Sequence, residues 1–421
     1  MKNLLKKIIF EQQDACKHLM QNTIQRHIED EWLSTSEVLI ITGIRRCGKS
    51  VLLQQLREKL PERDFFFNFD DERLVNFRVE DFQALQECFY ELFGNQHIYY
   101  FDEIQNVEGW ELFVRRLYNE GNKVIITGSN ARMLSRELGT HLTGRYIAVE
   151  TYPFSFTEYL ELCDVHPQPK DFHTTTGRSL LIKQFHDYLE RGGFPRYLQS
   201  GSQSYLSALY ESILFRDVIV RNGLTNDKEI KELVFYLASN ATKRVTYTSL
   251  GRTIGICHAE TVKKYIEYIL QTYMIFQLLK YDSSLKVQMQ SPKKVYFIDN
   301  AIVSRIGFNV SENIGVKLEN LVLVELKRRG CDVFYYADKK ECDFVVRQGC
   351  HITQAIQVTV AMTDEKTRKR ELDGVLEAMT AFGLKEGYII TMEEKKEITT
   401  DYGTIHVVPA WEWMLANSHC V

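Results

Sequence analysis

The segment GIRRCGKS carries the spacing G-x-x-x-x-G-K-S across Gly43, Gly48, Lys49 and Ser50, the residue types needed to hold a chain of phosphates. Glycine at both ends lets the backbone bend tightly enough for its N–H groups to face phosphate oxygens. Lys49 brings a mobile positive charge to the β- and γ-phosphates, and Ser50 brings a hydroxyl for Mg²⁺. Gly43, Ile44, Arg45, Arg46, Cys47 and Gly48, followed by Lys49, Ser50 and Val51 at a helix start, make up the expected cradle. Its predicted ligands are ATP and Mg²⁺. Arg45 and Arg46 face either the phosphates or a neighbouring domain, and the sequence leaves that choice open.

Two further segments supply matching chemistry. In HIYYFDEIQNVEGW an apolar run ends on Asp102 and Glu103. An acid at a strand end holds magnesium directly or through water, which assigns the metal to Asp102 together with Ser50. Glu103, adjacent but differently directed, is the candidate for polarising the attacking water. In KVIITGSNARMLSREL, Ser129 or Asn130 emerges at the end of another apolar run, with Asn130 preferred for sensing the γ-phosphate or positioning water. The same residues would equally cap the helix that follows. Arg136 and Arg145 come next as sources of transition-state charge, in cis or from a neighbouring subunit, or else as packing ion pairs.

Such residues work only if one edge of a sheet collects them. EVLIIT at 37–42, Ile98–Phe101 and Val124–Thr127 each read as a buried strand, and VLLQQLREKL has helical spacing. Strand, glycine loop, helix is the order the phosphate motif requires, and parallel α/β sheets bind ligands at the carboxyl ends of their strands.

The ordered set GIRRCGKS, IYYFDEIQ, VIITGSN, LTGRY and YPFSFTEYL resembles a prokaryotic AAA-type ATPase family, from about residue 20 to 415 and most specifically in the first half. The resemblance implies that Lys49, Ser50, Asp102 and Glu103 form the nucleotide site, and it places the family's Gly-Arg pair on Gly144 and Arg145. The fold class expected is α/β. An AAA-like P-loop core with a parallel sheet (1–152) precedes a helical lid or linker (153–222), a winged-helix-like unit (223–300) and a restriction-endonuclease-like module (301–421).

The last two assignments rest on element order. KEIKELVFYLASN, YTSLGRTIG and HAETVKKYIEYILQ read as three helices of a winged helix, with Lys243, Arg244 and Lys263 adding some positive charge for DNA. Farther on, Glu319, Asp343 and Gln357 fall in an order that resembles the restriction-endonuclease-like fold. Such nucleases gather carboxylates around a divalent metal and use a nearby lysine. Here the tripeptide is Gln357-Val358-Thr359, with an amide in place of one carboxylate and no lysine. Unless Lys327 or another lysine moves inward, the expectation is a module kept for binding or structure. GGFP at 192–195 also resembles the family and reads as a helix stop.

Bulk composition narrows the partners. With 52 Lys and Arg against 56 Asp and Glu, a net charge of -4 disfavours tight nucleic-acid binding by the whole chain, though not by a local face. Nine cysteines without a C-x-x-C pair fit a reduced, cytoplasmic protein. No apolar run reaches the roughly 18 residues that span a bilayer, so MKNLLKKIIFEQQ reads as an amphipathic helix on its own domain and no membrane partner is expected. The function expected is ATP hydrolysis coupled to movement of the C-terminal module. Alternatives are an ATP-regulated nucleic-acid-binding or nuclease protein, and an adaptor with little turnover. DNA or protein partners of the C-terminal half, and a homo-oligomer, stay open.

Overall fold

Short apolar runs dominate the first unit, and the central three are buried on both faces. In the computed structural model, which describes residues 1–21, 23–129, 142, 144–307 and 313–416, they pair as one parallel sheet. Its strands are β1 (Val38–Thr42), β2 (Phe66–Asn68), β3 (Ile98–Asp102), β4 (Lys123–Gly128) and β5 (Tyr146–Glu150), in spatial order β2-β3-β4-β1-β5. Strand β4 therefore lies between the strand that feeds the phosphate loop and the strand that ends on Asp102. Leu39 pairs with Ile125, and Phe101 with Ile126.

Both sheet faces are covered, as burial of such strands demands. On one side Leu52, Leu53 and Leu56 of the helix Lys49–Lys59 pack on Leu39, Ile41 and Tyr100. The other side is unusually aromatic: Phe82 stacks on Phe113 at 4.3 Å, and Phe65 on Phe89 at 4.9 Å. The amino-terminal helix Lys2–Leu19 joins this core through Leu5, Ile8 and Ile9. Its Lys2 pairs with Glu87 at 2.7 Å and Glu91 at 2.8 Å, exposed contacts that add little stability.

The chain divides into compact units Met1–Tyr152 and Pro153–Val421. The second begins helically, with Thr175–Arg191, Pro195–Ser200 and Gln203–Ser212, then a π-helical stretch at Ile213–Val220. Helices Asp227–Ser239, Tyr247–Ile254 and Ala259–Leu270 accompany an antiparallel sheet of β6 (Arg244–Val245), β7 (Ile275–Leu278) and β8 (Lys293–Phe297), in spatial order β6-β8-β7. A mixed six-stranded sheet follows: β9 (Asp332–Ala337), β10 (Glu341–Gln348), β11 (His351–Val358), β12 (Glu386–Thr391), β13 (Lys396–Thr400) and β14 (Gly403–Pro409), in spatial order β13-β14-β12-β11-β10-β9. Helix Ile314–Arg328 precedes it in sequence, and helix Glu365–Phe382 connects β11 to β12. The architecture is thus mixed α/β, with a parallel sheet first, a helical region, and a carboxyl-terminal sheet.

The GGFP segment is a packing device as well as a helix stop. Gly193 N–H donates to Asp299 at 2.6 Å, and its carbonyl accepts from Phe154 N–H at 2.7 Å. A Cβ on Gly192 would stand 1.8 Å from Asp299 Oδ1, and one on Gly193 2.3 Å from the Phe154 carbonyl oxygen. No side chain fits at either position. Among the described residues no helix is long and apolar enough to cross a membrane.

Candidate functional site

At the carboxyl end of β1 the chain turns on Gly43, whose φ is 141°. A Cβ there would lie 2.1 Å from the Thr151 carbonyl oxygen, so the tight approach of the loop to the exit of β5 requires glycine. Cys47 packs inward, and burial pushes its thiol above the usual range. Arg46 takes a left-handed backbone (φ 69°) and is exposed at the loop tip. Gly48 (φ 109°) then starts the helix Lys49–Lys59, whose free N–H groups and positive dipole end face the loop.

Lys49 is 4% exposed, and its ammonium donates to the carbonyls of Gly43 at 3.1 Å and Ile44 at 3.2 Å. It also stands 3.8 Å from Glu103 Oε1. These are weak holds for a buried ammonium, and phosphate oxygens would replace them without breaking a core. Ser50 Oγ donates to Asp102 Oδ1 at 3.1 Å, so both proposed magnesium ligands already meet across the sheet. Hydroxyl and carboxylate together fit Mg²⁺, which takes few protein oxygens and completes its shell with phosphate and water.

Asp102 is fully buried, and burial with Glu103 alongside pushes its pKa up to about 6, while Thr127, Ser50 and Lys49 pull the other way. Thr127 of β4 is the residue that sequence reading missed. Its hydroxyl donates to Asp102 Oδ1 at 2.5 Å and accepts from Glu103 N–H at 2.9 Å. One side chain thus sets both acids. Glu103 itself has φ 51° and ψ 40°, a left-handed conformation that turns its carboxylate away from that of Asp102. Gln105 donates to its Oε2. Thr127 sits inside the apolar run VIITG, where the only signal was a β-branched hydroxyl one strand away from the acids.

Other expected residues fall elsewhere. Ser129 is buried at the end of β4, beside these groups in sequence. Asn130 and Arg136 lie outside the described residues. Arg145 requires a correction as a contact within its own chain. It precedes β5, its carbonyl accepts from Val38 N–H at the start of β1, and its guanidinium donates to Asn119 at 3.0 Å. The phosphate loop follows the other end of β1, about 13 Å away at the usual rise of a strand.

Of the basic residues expected to face DNA, Arg244 is paired with Glu341 and covers the Tyr335 ring at 5.2 Å, and Lys263 stands 3.9 Å from Glu267. His166 is exposed, 3.2 Å from Asp164, as a surface loop requires.

A family profile described as an AAA domain matches residues 35–160, and one described as a domain of unknown function matches residues 182–312. The sequence is 30% identical to the uncharacterized protein MJ1544 of Methanocaldococcus jannaschii, over 98% of this chain and 96% of that protein. An uncharacterized protein of Haemophilus influenzae is also 30% identical, over 94% of this chain and 98% of its own. Among solved structures, the Thermotoga maritima RuvB Holliday junction branch migration motor overlaps 66% of this chain and 89% of its own, at 15% identity. Its TM-score of 0.29 is too low to carry an argument.

Proposed function

This chain belongs to the family of the uncharacterized protein MJ1544, with an AAA domain in its first unit, and on that footing we propose that it binds ATP with Mg²⁺ and hydrolyses it to ADP and phosphate. The observation that carries this reading is the convergence of Lys49, Ser50, Asp102 and Glu103 at one sheet edge, with Ser50 and Asp102 in hydrogen-bond contact.

The roles follow from the contacts. The loop N–H groups and the helix end bind the phosphates, and Lys49 leaves the Gly43 and Ile44 carbonyls for phosphate oxygens. That move also takes its charge away from Glu103, freeing the carboxylate to accept a hydrogen bond from water in line with the γ-phosphorus. Bound Mg²⁺ supplies charge neutralisation on the β- and γ-oxygens. Thr127 keeps Asp102 and Glu103 pointing apart, one to metal and one to water. Arg145 belongs to this scheme only as a group offered to a neighbouring copy, while Asn130 and Arg136 keep the sensing and charge roles inferred from sequence.

Within the second unit we read 153–222 as a helical linker and 223–300 as winged-helix-like, a reading supported by three helices with the β6-β8-β7 sheet. The segment 301–421 reads as restriction-endonuclease-like, supported by a helix, three antiparallel strands, a second helix and a returning parallel strand. Turnover would move this unit, which is offered to a DNA or protein partner.

Phosphate release from ATP by the full chain, with and without Mg²⁺, tests the assignment. Mg²⁺-dependent release in the wild type that disappears in Lys49→Ala is expected. Tight ATP binding without release, alone or with duplex DNA, single-stranded DNA or RNA, would favour an adaptor instead.

A further inference from the structure

A pocket of about 570 Å³ opens in the second unit, and its floor holds Lys294, Glu319, Glu341, Asp343, Gln357 and Glu371. These residues come from several elements. Lys294 stands on β8, Glu319 on the helix Ile314–Arg328, Glu341 and Asp343 on β10, Gln357 on β11 and Glu371 on the helix Glu365–Phe382. A restriction-endonuclease-like outline leads one to expect a divalent metal among them. The donor set does not fit one.

The carboxylates already hold a cation. Lys294 Nζ lies 2.8 Å from Glu341 Oε1, 3.0 Å from Glu319 Oε1 and 3.0 Å from Asp343 Oδ1, and the lysine is only 3% exposed. Most of the remaining oxygens are engaged too. Tyr296 OH donates to Glu319 Oε1 at 2.7 Å, and Val358 N–H to Asp343 Oδ2 at 3.2 Å. Gln357 accepts from Asp343 N–H at 3.1 Å and donates to Glu371 Oε2 at 2.6 Å, while Arg370 occupies Glu371 Oε1. A metal ion would have to enter beside the ammonium and strip these contacts. Among the described residues no group of three or more His, Cys, Asp and Glu is arranged to hold a metal.

We propose that Lys294 is the permanent cation of this pocket: its ammonium stands where a divalent metal would sit and fastens the three-stranded sheet to the six-stranded one. The result is a metal-independent brace instead of a phosphodiester-cleaving centre. The charge is secure, because burial works against the ammonium but the carboxylates of Asp343, Glu319 and Glu341 outweigh it and hold its pKa well above the ordinary lysine value. The junction has a backbone component as well: Tyr281 N–H donates to the Tyr335 carbonyl at 2.7 Å, joining the chain leaving β7 to β9.

Titration of the nucleotide-free full chain with Mn²⁺, followed by calorimetry and thermal melting, tests it. The wild type and Asp343→Asn should show the same Mn²⁺ uptake, with no Mn²⁺-dependent rise in the melting of the second unit. Lys294→Met leaves buried carboxylates uncompensated and should melt roughly 5–15 °C lower, with Mn²⁺ restoring part of the loss. That restoration should vanish in Lys294→Met/Asp343→Asn. Wild-type Mn²⁺ binding, or Mn²⁺-dependent DNA cleavage, that disappears in Asp343→Asn would overturn the proposal. So would a Lys294→Met protein that melts like the wild type or gains nothing from Mn²⁺. If Lys294→Met fails to fold, the comparison of wild type with Asp343→Asn decides alone.

Discussion

Each unit of the molecule buries a lysine beside carboxylates, and the two lysines are held very differently. Lys49 rests on two backbone carbonyls and stays 3.8 Å from its acid. Lys294 has three carboxylates within 3.0 Å. The first arrangement leaves the cation available to an incoming anion, and the second consumes it. Residue type alone does not separate a working site from a structural one. What separates them is how many strong partners each charge already has.

The largest effect that sharpens this contrast is the loss of Lys49. Lys49→Ala should weaken ATP binding by about 10²-fold or more while melting closer to the wild type than Lys294→Met does, since it loses two carbonyl contacts and one distant carboxylate, not three close ones. Isothermal titration with ATP and Mg²⁺ checks both halves, and a variant that unfolds would erase the distinction from Lys294.

Comparable in free energy is a steric test in the second unit. Gly193→Ala should cost about 3 kcal/mol or more, because its Cβ meets the Phe154 carbonyl and Gly192 leaves no room to shift beside Asp299. Urea unfolding measures this, and a loss below 1 kcal/mol, roughly, would mean the helix stop is loosely packed.

Asp299 offers a pH test on the same contact. Burial raises its pKa to about 6 from an ordinary 3.8, against the pull of the Gly193 and Ala301 N–H groups. The protonated form is therefore favoured in the fold. Its contribution is complete below about pH 4 and is lost as pH rises through 6, on the order of 3 kcal/mol in all. The loss of unfolding free energy across this window should be smaller in Asp299→Asn by about that amount, and an equal pH slope in wild type and variant would remove Asp299 as a cause.

Much of the first site was legible because its parts are local. GIRRCGKS and FDE each complete their chemistry within a few residues, so strand context and spacing were enough to place Lys49, Ser50, Asp102 and Glu103. Thr127 was not legible, because its partners reach it only when β4 inserts between β1 and β3. Arg145 follows the loop in sequence but precedes its strand, which puts it at the opposite end of β1, in packing contact with Asn119. In the second unit Glu319, Asp343 and Gln357, noted in sequence only for their order, line one pocket, and the lysine beside them is not at Thr359 but at Lys294. That lysine, on β8, lies 25 residues from Glu319 and 49 from Asp343 in sequence. Nothing in the spacing of those residues announces a contact made between two sheets.

Smaller effects concern the shared acids and the far edge. Thr127→Val keeps the strand but removes the hydroxyl between Asp102 and Glu103, and should lower turnover about 10-fold with ATP binding nearly intact. Arg145→Ala should leave ATP affinity unchanged, and a weakened affinity in the isolated protomer would contradict its place at the opposite edge.

The central claim is that Glu103 positions water on a nucleotide held by Lys49 and Ser50. Single-turnover hydrolysis of ATP by wild type and Glu103→Gln, at saturating Mg²⁺, tests it most directly. The account predicts unchanged ATP affinity with a rate lowered about 10²–10⁴-fold, and equal rates in the two proteins would contradict it.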